Sequence, residues 1–150
     1  MWGYNLLGGL AQNNRTGYSS PVQIPGEWTS LHQSTDASYQ TFVSKTAGSL
    51  WSMGFNASGN LGVNNTTYYS SPKQIPGTNW TTSVTNGMSV GHTGYNMAAL
   101  KTDGTLWVWG RGSDGEGGWN TTTAKSSPVQ LPGTNWSCLL YTSPSPRDRG

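Results

Sequence analysis

Gly110-Arg111-Gly112-Ser113-Asp114-Gly115 fits the G-x-G-x-x-G pattern that wraps a dinucleotide pyrophosphate at a helix N-terminus. It follows an apolar run at 106–109 that reads as a strand, so half of the required context is present. The other half is missing, because no helical apolar stripe follows. The same slot earlier in the chain reads Gly54-Phe55-Asn56-Ala57-Ser58-Gly59, which assigns the glycine spacing to a repeat and not to a cofactor.

Asp114 and Glu116 flank Gly115 as in a calcium loop, yet the several oxygen ligands at fixed spacing that such a loop needs are absent, and the pair reads as solvated turn residues. His32 and His92 share no repeat position, and no nucleophile and orienting acid accompany either in a motif, so His92 reads as a structural hydrogen-bonding residue. Cys138 is the only cysteine, which excludes an intramolecular disulfide and a multi-cysteine zinc site. Sequons fall at Asn14, Asn56, Asn64, Asn65, Asn79, Asn120 and Asn135, most of them by-products of repeat positions rich in Asn, Thr and Ser. Tyr68, Tyr69 and Trp119 offer an aromatic contact surface on a loop, with packing between repeats as the preferred reading. No catalytic residue, cofactor-binding residue or metal ligand is assigned, and the chain is expected not to be an enzyme.

The elements that would hold these residues are short strands. With 33% hydrophobic and 9% charged residues, 21 Gly and 8 Trp, the composition disfavours helix interiors and suits turns and half-buried pleated surfaces. A formal charge of +2 provides no basic patch for nucleic acid or anionic lipid, and no apolar stretch approaches the ~20 residues that span a bilayer. A protein partner is therefore expected, with no nucleic acid, membrane or small-molecule ligand indicated.

Self-comparison reveals the organisation. Residues 1–26 agree with 52–77 at 15 of 26 positions, and 50–81 with 106–137 at 17 of 32. Ser19-Ser20-Pro21, Ser70-Ser71-Pro72 and Ser126-Ser127-Pro128 recur at offsets of 51 and 56, and each unit closes on a tryptophan: Trp28, Trp80, Trp136. Units begin near 1, 50 and 106, the first and third incomplete. The expected strands of the middle unit are 50–53, 73–75, 80–85 and 95–100, with Asp103-Gly104 turning the last into the next unit's 106–109 as a hairpin. Four strands in about 50 residues match one blade of a β-propeller, giving an all-β partial propeller of about two and a half four-stranded blades. Each Trp can bury ~150–250 Å² in such packing, or roughly 4–6 kcal/mol as an upper bound.

Leu50-Trp51-x-x-Gly54-x-Asn56-x-x-Gly59-x-Leu61-Gly62, followed by Gly91-His92 and Ala99-Leu100-Lys101-Thr102-Asp103-Gly104-Thr105-Leu106-Trp107, closely resembles the regulator of chromosome condensation repeat. The resemblance covers residues 1–137 and implies a full protein of seven blades, of which this chain holds under half. Units one and three depart from the pattern: Thr35-Asp36 stand at the place of Gly91-His92, Gly112 at that of Asn56, and Gly117 at that of Leu61. The family includes a chromatin-bound nucleotide exchange factor, ubiquitin-ligase domains and a secreted β-lactamase inhibitor, so the resemblance implies a binding architecture without fixing an activity. The reading is a non-enzymatic interaction or structural scaffold, virion or cell-surface associated; the alternatives are a regulatory propeller of the chromatin or GTPase exchange-factor type, or the recognition module of a larger enzyme.

Residues 138–150 break the repeat and resemble the conceptual translation of a transposase sequencing adapter, so they are read as not native. Leaving them out removes two Arg and one Asp, lowers the formal charge to +1 and deletes the cysteine. Residues 1–137 alone are expected to fold poorly, since an open arc exposes a strand edge and a blade face at each end.

Overall fold

The computed structural model describes residues 2–33, 40–81, 89–90, 96–113, 118, 121–134 and 136, with backbone only at 32–33 and 89–90. Two four-stranded antiparallel sheets are present. The first comprises β1 (Ser30–Gln33), β2 (Gln40–Ser44), β3 (Leu50–Gly54) and β4 (Tyr69–Gln74) in that order. The second repeats it with β5 (Ser89–Val90), β6 (Asn96–Leu100), β7 (Leu106–Gly110) and β8 (Lys125–Gln130). Before them, a bridge between Gly3 and Tyr18 occupies the place of the Gly54–Tyr69 and Gly110–Lys125 pairs, so residues 2–28 form the β3–β4 half of a further blade.

The register explains the sequence. Leu100 opposes Leu106 across the expected hairpin, where the Lys101 and Gly104 backbone bonds close the Asp103-Gly104 turn. β2 is buried along all five residues because both its faces meet neighbouring units, while β4 and β8 are sheet edges and so tolerate Pro72 and Pro128. Those edge strands begin earlier than the proline-flanked 73–75 segment implies: a register shift between Ser52 and Gly54 allows Gly54 to pair with Tyr69. The strand expected at 80–85 shows only a bridge from Trp80 to Lys101, and 82–85 lie outside the described residues; the corresponding segment of the first unit is β1.

Sheets and sequence units are out of phase. The unit beginning near 50 contributes β3 and β4 to one blade, then β5 and β6 to the next. The first two units thereby each tie two blades together covalently, and the closing tryptophan of each falls at the junction.

The main core lies between the two sheets, where Phe42, Leu50 and Ile75 of the first meet Trp80, Met97, Ala99 and Trp109. Trp80 and Trp109 are fully buried, edge to face at 6.1 Å. A smaller cluster of Ala11, Val43 and Met53 joins the N-terminal half blade to the first sheet. Backbone bonds run with it in each case: Asn13 N–H donates to Ser70 O and Asn64 N–H to Ser126 O, both at 2.7 Å. Gly59 closes the same junction, since a Cβ there would lie 2.6 Å from Ser126 Cα.

Candidate interaction surface

Each blade joins its third strand to its fourth through a long loop, and two of the three loops are each held by one buried asparagine. Asn56 donates from Nδ2 to the carbonyls of Asn65 and Thr67, both at 2.9 Å, and accepts the Leu61 N–H at 2.8 Å. Asn65 continues the network by donating to the Tyr69 hydroxyl at 3.0 Å. Asn5, Asn14 and Tyr18 reproduce it, with Asn5 bonded to Asn14 O, Thr16 O and Leu10 N–H and Asn14 to the Tyr18 hydroxyl. A short polar side chain thus supplies the hydrogen bonds that a loop without a ladder otherwise lacks.

In the third loop the network is gone as a unit. Gly112 replaces Asn56, Thr121 replaces Asn65 and Lys125 replaces Tyr69, while Gly117 replaces Leu61. Charge enters where the polar lock leaves: residues 55–69 carry no charged side chain, and residues 111–125 carry Arg111, Asp114, Glu116 and Lys125. Ser113 is exposed and accepts a 2.6 Å bond from Arg111 Nε.

At the opposite, hairpin end, each junction carries a lysine held between two tryptophans. Lys45 Nζ lies 4.9 Å from the Trp28 ring and 4.8 Å from that of Trp51; Lys101 Nζ lies 4.8 Å from Trp80 and 4.3 Å from Trp107. In the second hairpin Asp103 adds a brace. Its Oδ1 accepts the Thr105 hydroxyl at 2.6 Å and the Thr105 N–H at 3.0 Å, and Thr105 in turn accepts the Trp107 indole N–H at 2.8 Å. The Thr105 hydroxyl and amide, helped by Lys101, hold the Asp103 carboxyl below its ordinary range. Sequence reasoning missed these clamps, because the first tryptophan precedes its lysine by about twenty residues.

The other residues singled out by type are dispersed. His32 lies on β1, its backbone opposite Phe42, and His92 lies outside the described residues. So do Asp114, Gly115, Glu116 and Trp119; Gly110 ends β7, and no helix occurs among the described residues. Tyr68 packs edge-on against Phe55 at 5.2 Å, and Tyr69 lies under Lys73 at 5.1 Å, so both are engaged within their own blade. Of the sequons, Asn56 is fully buried with its amide spent on the loop, whereas Asn64 and Asn79 are exposed. Among the described residues no group of three or more His, Cys, Asp or Glu is placed to hold a metal, and no helix is long and apolar enough to cross a membrane. An open groove of about 460 Å³ beside β1 is lined by Val22, Ile24, Trp28, Leu31 and Val43, among others, with no charged side chain.

Radially equivalent four-stranded sheets, joined out of phase by a tryptophan-marked unit, define a section of a β-propeller. The repeat is of the regulator of chromosome condensation kind: residues 47–93 match the family model described as Regulator of chromosome condensation (RCC1) repeat. Similar solved structures include human WBSCR16, at 20% identity and a TM-score of 0.62, covering 84% of this chain and 32% of that one. Prp20p from Saccharomyces cerevisiae is similar at 14% identity and a TM-score of 0.63, covering 89% of this chain and 34% of that one. Yeast RCC1 (Prp20) bound to Kap60 gives 18% identity and 0.63, over 87% and 32%. The chain therefore spans about a third of these relatives' length, and the Prp20p work describes binding to Gsp1p and histones. No curated protein matches the sequence.

Proposed function

We propose that this chain is part of a non-enzymatic scaffold that recognises a protein partner through the 111–124 loop of its second sheet. One observation carries the reading. Three loops share a repeat, two keep the same buried asparagine network, and the third has exchanged that network's members together for glycine, threonine and charge. Loops carried on a common frame are where binding residues concentrate, and this loop has lost the shared lock and gained charge. The polar, nearly charge-free remaining loops support the further reading of a virion or cell-surface component.

A photo-crosslinking residue placed at Ser113, with the equivalent Ala57 as internal control, tests the assignment, since both positions are exposed. In cells expressing the full protein, a discrete crosslinked partner is expected from 113 and not from 57. Equal crosslinking from both, or from neither, contradicts it. The binding of Prp20p to Gsp1p and histones favours a second reading, a regulatory propeller acting on a GTPase. Accelerated release of a fluorescent guanine nucleotide from a small GTPase would select that reading.

A further inference from the structure

Two loop carbonyls at the same place in the repeat are held across a blade junction by side chains of different kinds. Gly9 and Asn60 each follow a turn glycine whose amide donates back to the carbonyl of the loop asparagine, Gly8 to Asn5 and Gly59 to Asn56. The Gly9 carbonyl accepts the Thr41 hydroxyl at 2.8 Å, from β2 of the following blade. The Asn60 carbonyl accepts the Trp109 indole N–H at 3.0 Å, from β7 of the following blade.

The two donors stand on different strands of their sheets, and each has a methionine directly opposite. Thr41 pairs with Met53 in the β2–β3 ladder, and Met97 pairs with Trp109 in the β6–β7 ladder. All four side chains are buried. Each blade thus turns one donor and one methionine toward the loop before it, with their strands exchanged. A thioether donates no hydrogen bond, and a buried carbonyl left without a donor is costly, so one donor per junction is the requirement both arrangements meet.

The choice of donor reaches the residue that ends the loop. Where Trp109 donates, its indole covers Gly62, and a Cβ there would lie 2.7 Å from Nε1. Where Thr41 donates, the thinner Met53 packs with Ala11, whose methyl is accommodated on an equally left-handed backbone, φ 60° against 74°. Three positions therefore change together: Thr41, Met53 and Ala11 at one junction, Met97, Trp109 and Gly62 at the other.

We infer that these triplets are a matching code that makes the blades of this repeat non-interchangeable. The donor is supplied once, from either of two strands, and its identity dictates the loop residue beneath. The first loop set on the second sheet would drive the Ala11 methyl into the Trp109 indole, and the second loop set on the first sheet would leave a void between Met53 and Gly62. Blade order is specified by these side chains at the junctions, above strands that are otherwise near copies.

Transplanting the code in the full-length protein, with urea unfolding as the readout, tests the inference. Met53→Trp should raise the unfolding constant by about tenfold or more, because the indole meets the Ala11 methyl. Adding Ala11→Gly should recover most of that loss. By itself Ala11→Gly should change little, since relief of a left-handed alanine offsets the lost methyl packing. Thr41→Val should raise the unfolding constant about tenfold in the wild type by stranding the Gly9 carbonyl. In the Met53→Trp, Ala11→Gly protein the new indole supplies the donor, and the same Thr41→Val should cost less than about twofold. A Met53→Trp protein as stable as wild type, no rescue by Ala11→Gly, or an equal cost of Thr41→Val in both backgrounds would each overturn the inference.

Discussion

The loop between β3 and β4 and the loop between β7 and β8 descend from one repeat, yet they are held in different ways. In the first, buried Asn56 satisfies two carbonyls and one amide, and Asn65 and Tyr69 extend the lock. In the second, Gly112 has no side chain to bond with, and Thr121 and Lys125 replace the other two members. Both loops still precede the same edge strand at the same register, Gly54 with Tyr69 and Gly110 with Lys125. Blade architecture is therefore set by sheet pairing and junction packing, and the asparagine network is an addition that one loop has surrendered.

The largest test of that difference is Asn56→Ala. It orphans the Leu61 N–H and the Asn65 and Thr67 carbonyls in a partly buried site, which should cost about 3 kcal/mol, read as a lower midpoint in urea unfolding. Ala substituted at Gly112 should move the midpoint far less, since no network depends on it. Transplanting the lock with Gly112→Asn, Thr121→Asn and Lys125→Tyr should raise stability by about 1–2 kcal/mol in the same assay. It should also abolish crosslinking from position 113 if that loop is the recognition element.

Smaller effects belong to the hairpins. Lys101→Met and Lys45→Met should each cost about 1 kcal/mol through loss of a cation held between two indoles, measured as a shift in thermal midpoint. The hairpins differ at two places, Asp103 against Ala47 and Thr105 against Ser49. Because the folded Asp103 carboxyl is held below its ordinary value, its contribution is present above the unfolded pKa and fades as pH falls through the folded one. Asp103→Ala should therefore melt slightly below wild type at neutral pH and coincide with it at the acidic end of the titration.

Much of the fold was legible because period and turn chemistry are local signals. Leu50-Trp51 and Leu106-Trp107 mark strands, and Asp103-Gly104 marks the hairpin. The phase between units and sheets was not legible, because a repeat has no intrinsic starting point and only the hydrogen-bond ladder shows where one blade ends. Asn56 was visible as a repeat marker and a sequon, but its role as a hub depends on backbone groups up to eleven residues away. The joint replacement at 112, 117, 121 and 125 was the available signal, since residues lost together are often residues that touch. The pairing of Ala11 with Met53 and Gly62 with Trp109 likewise emerges only when two blades are seen in contact.

Amide hydrogen exchange on the intact chain tests the contrast most directly. Slow exchange is expected at Leu61 and at Asn64, whose N–H reaches Ser126 O across the junction, with much faster exchange at Ser113, Thr121 and Thr122. Equal protection in the two loops would show that the asparagine network does not hold the first one, and would contradict the account.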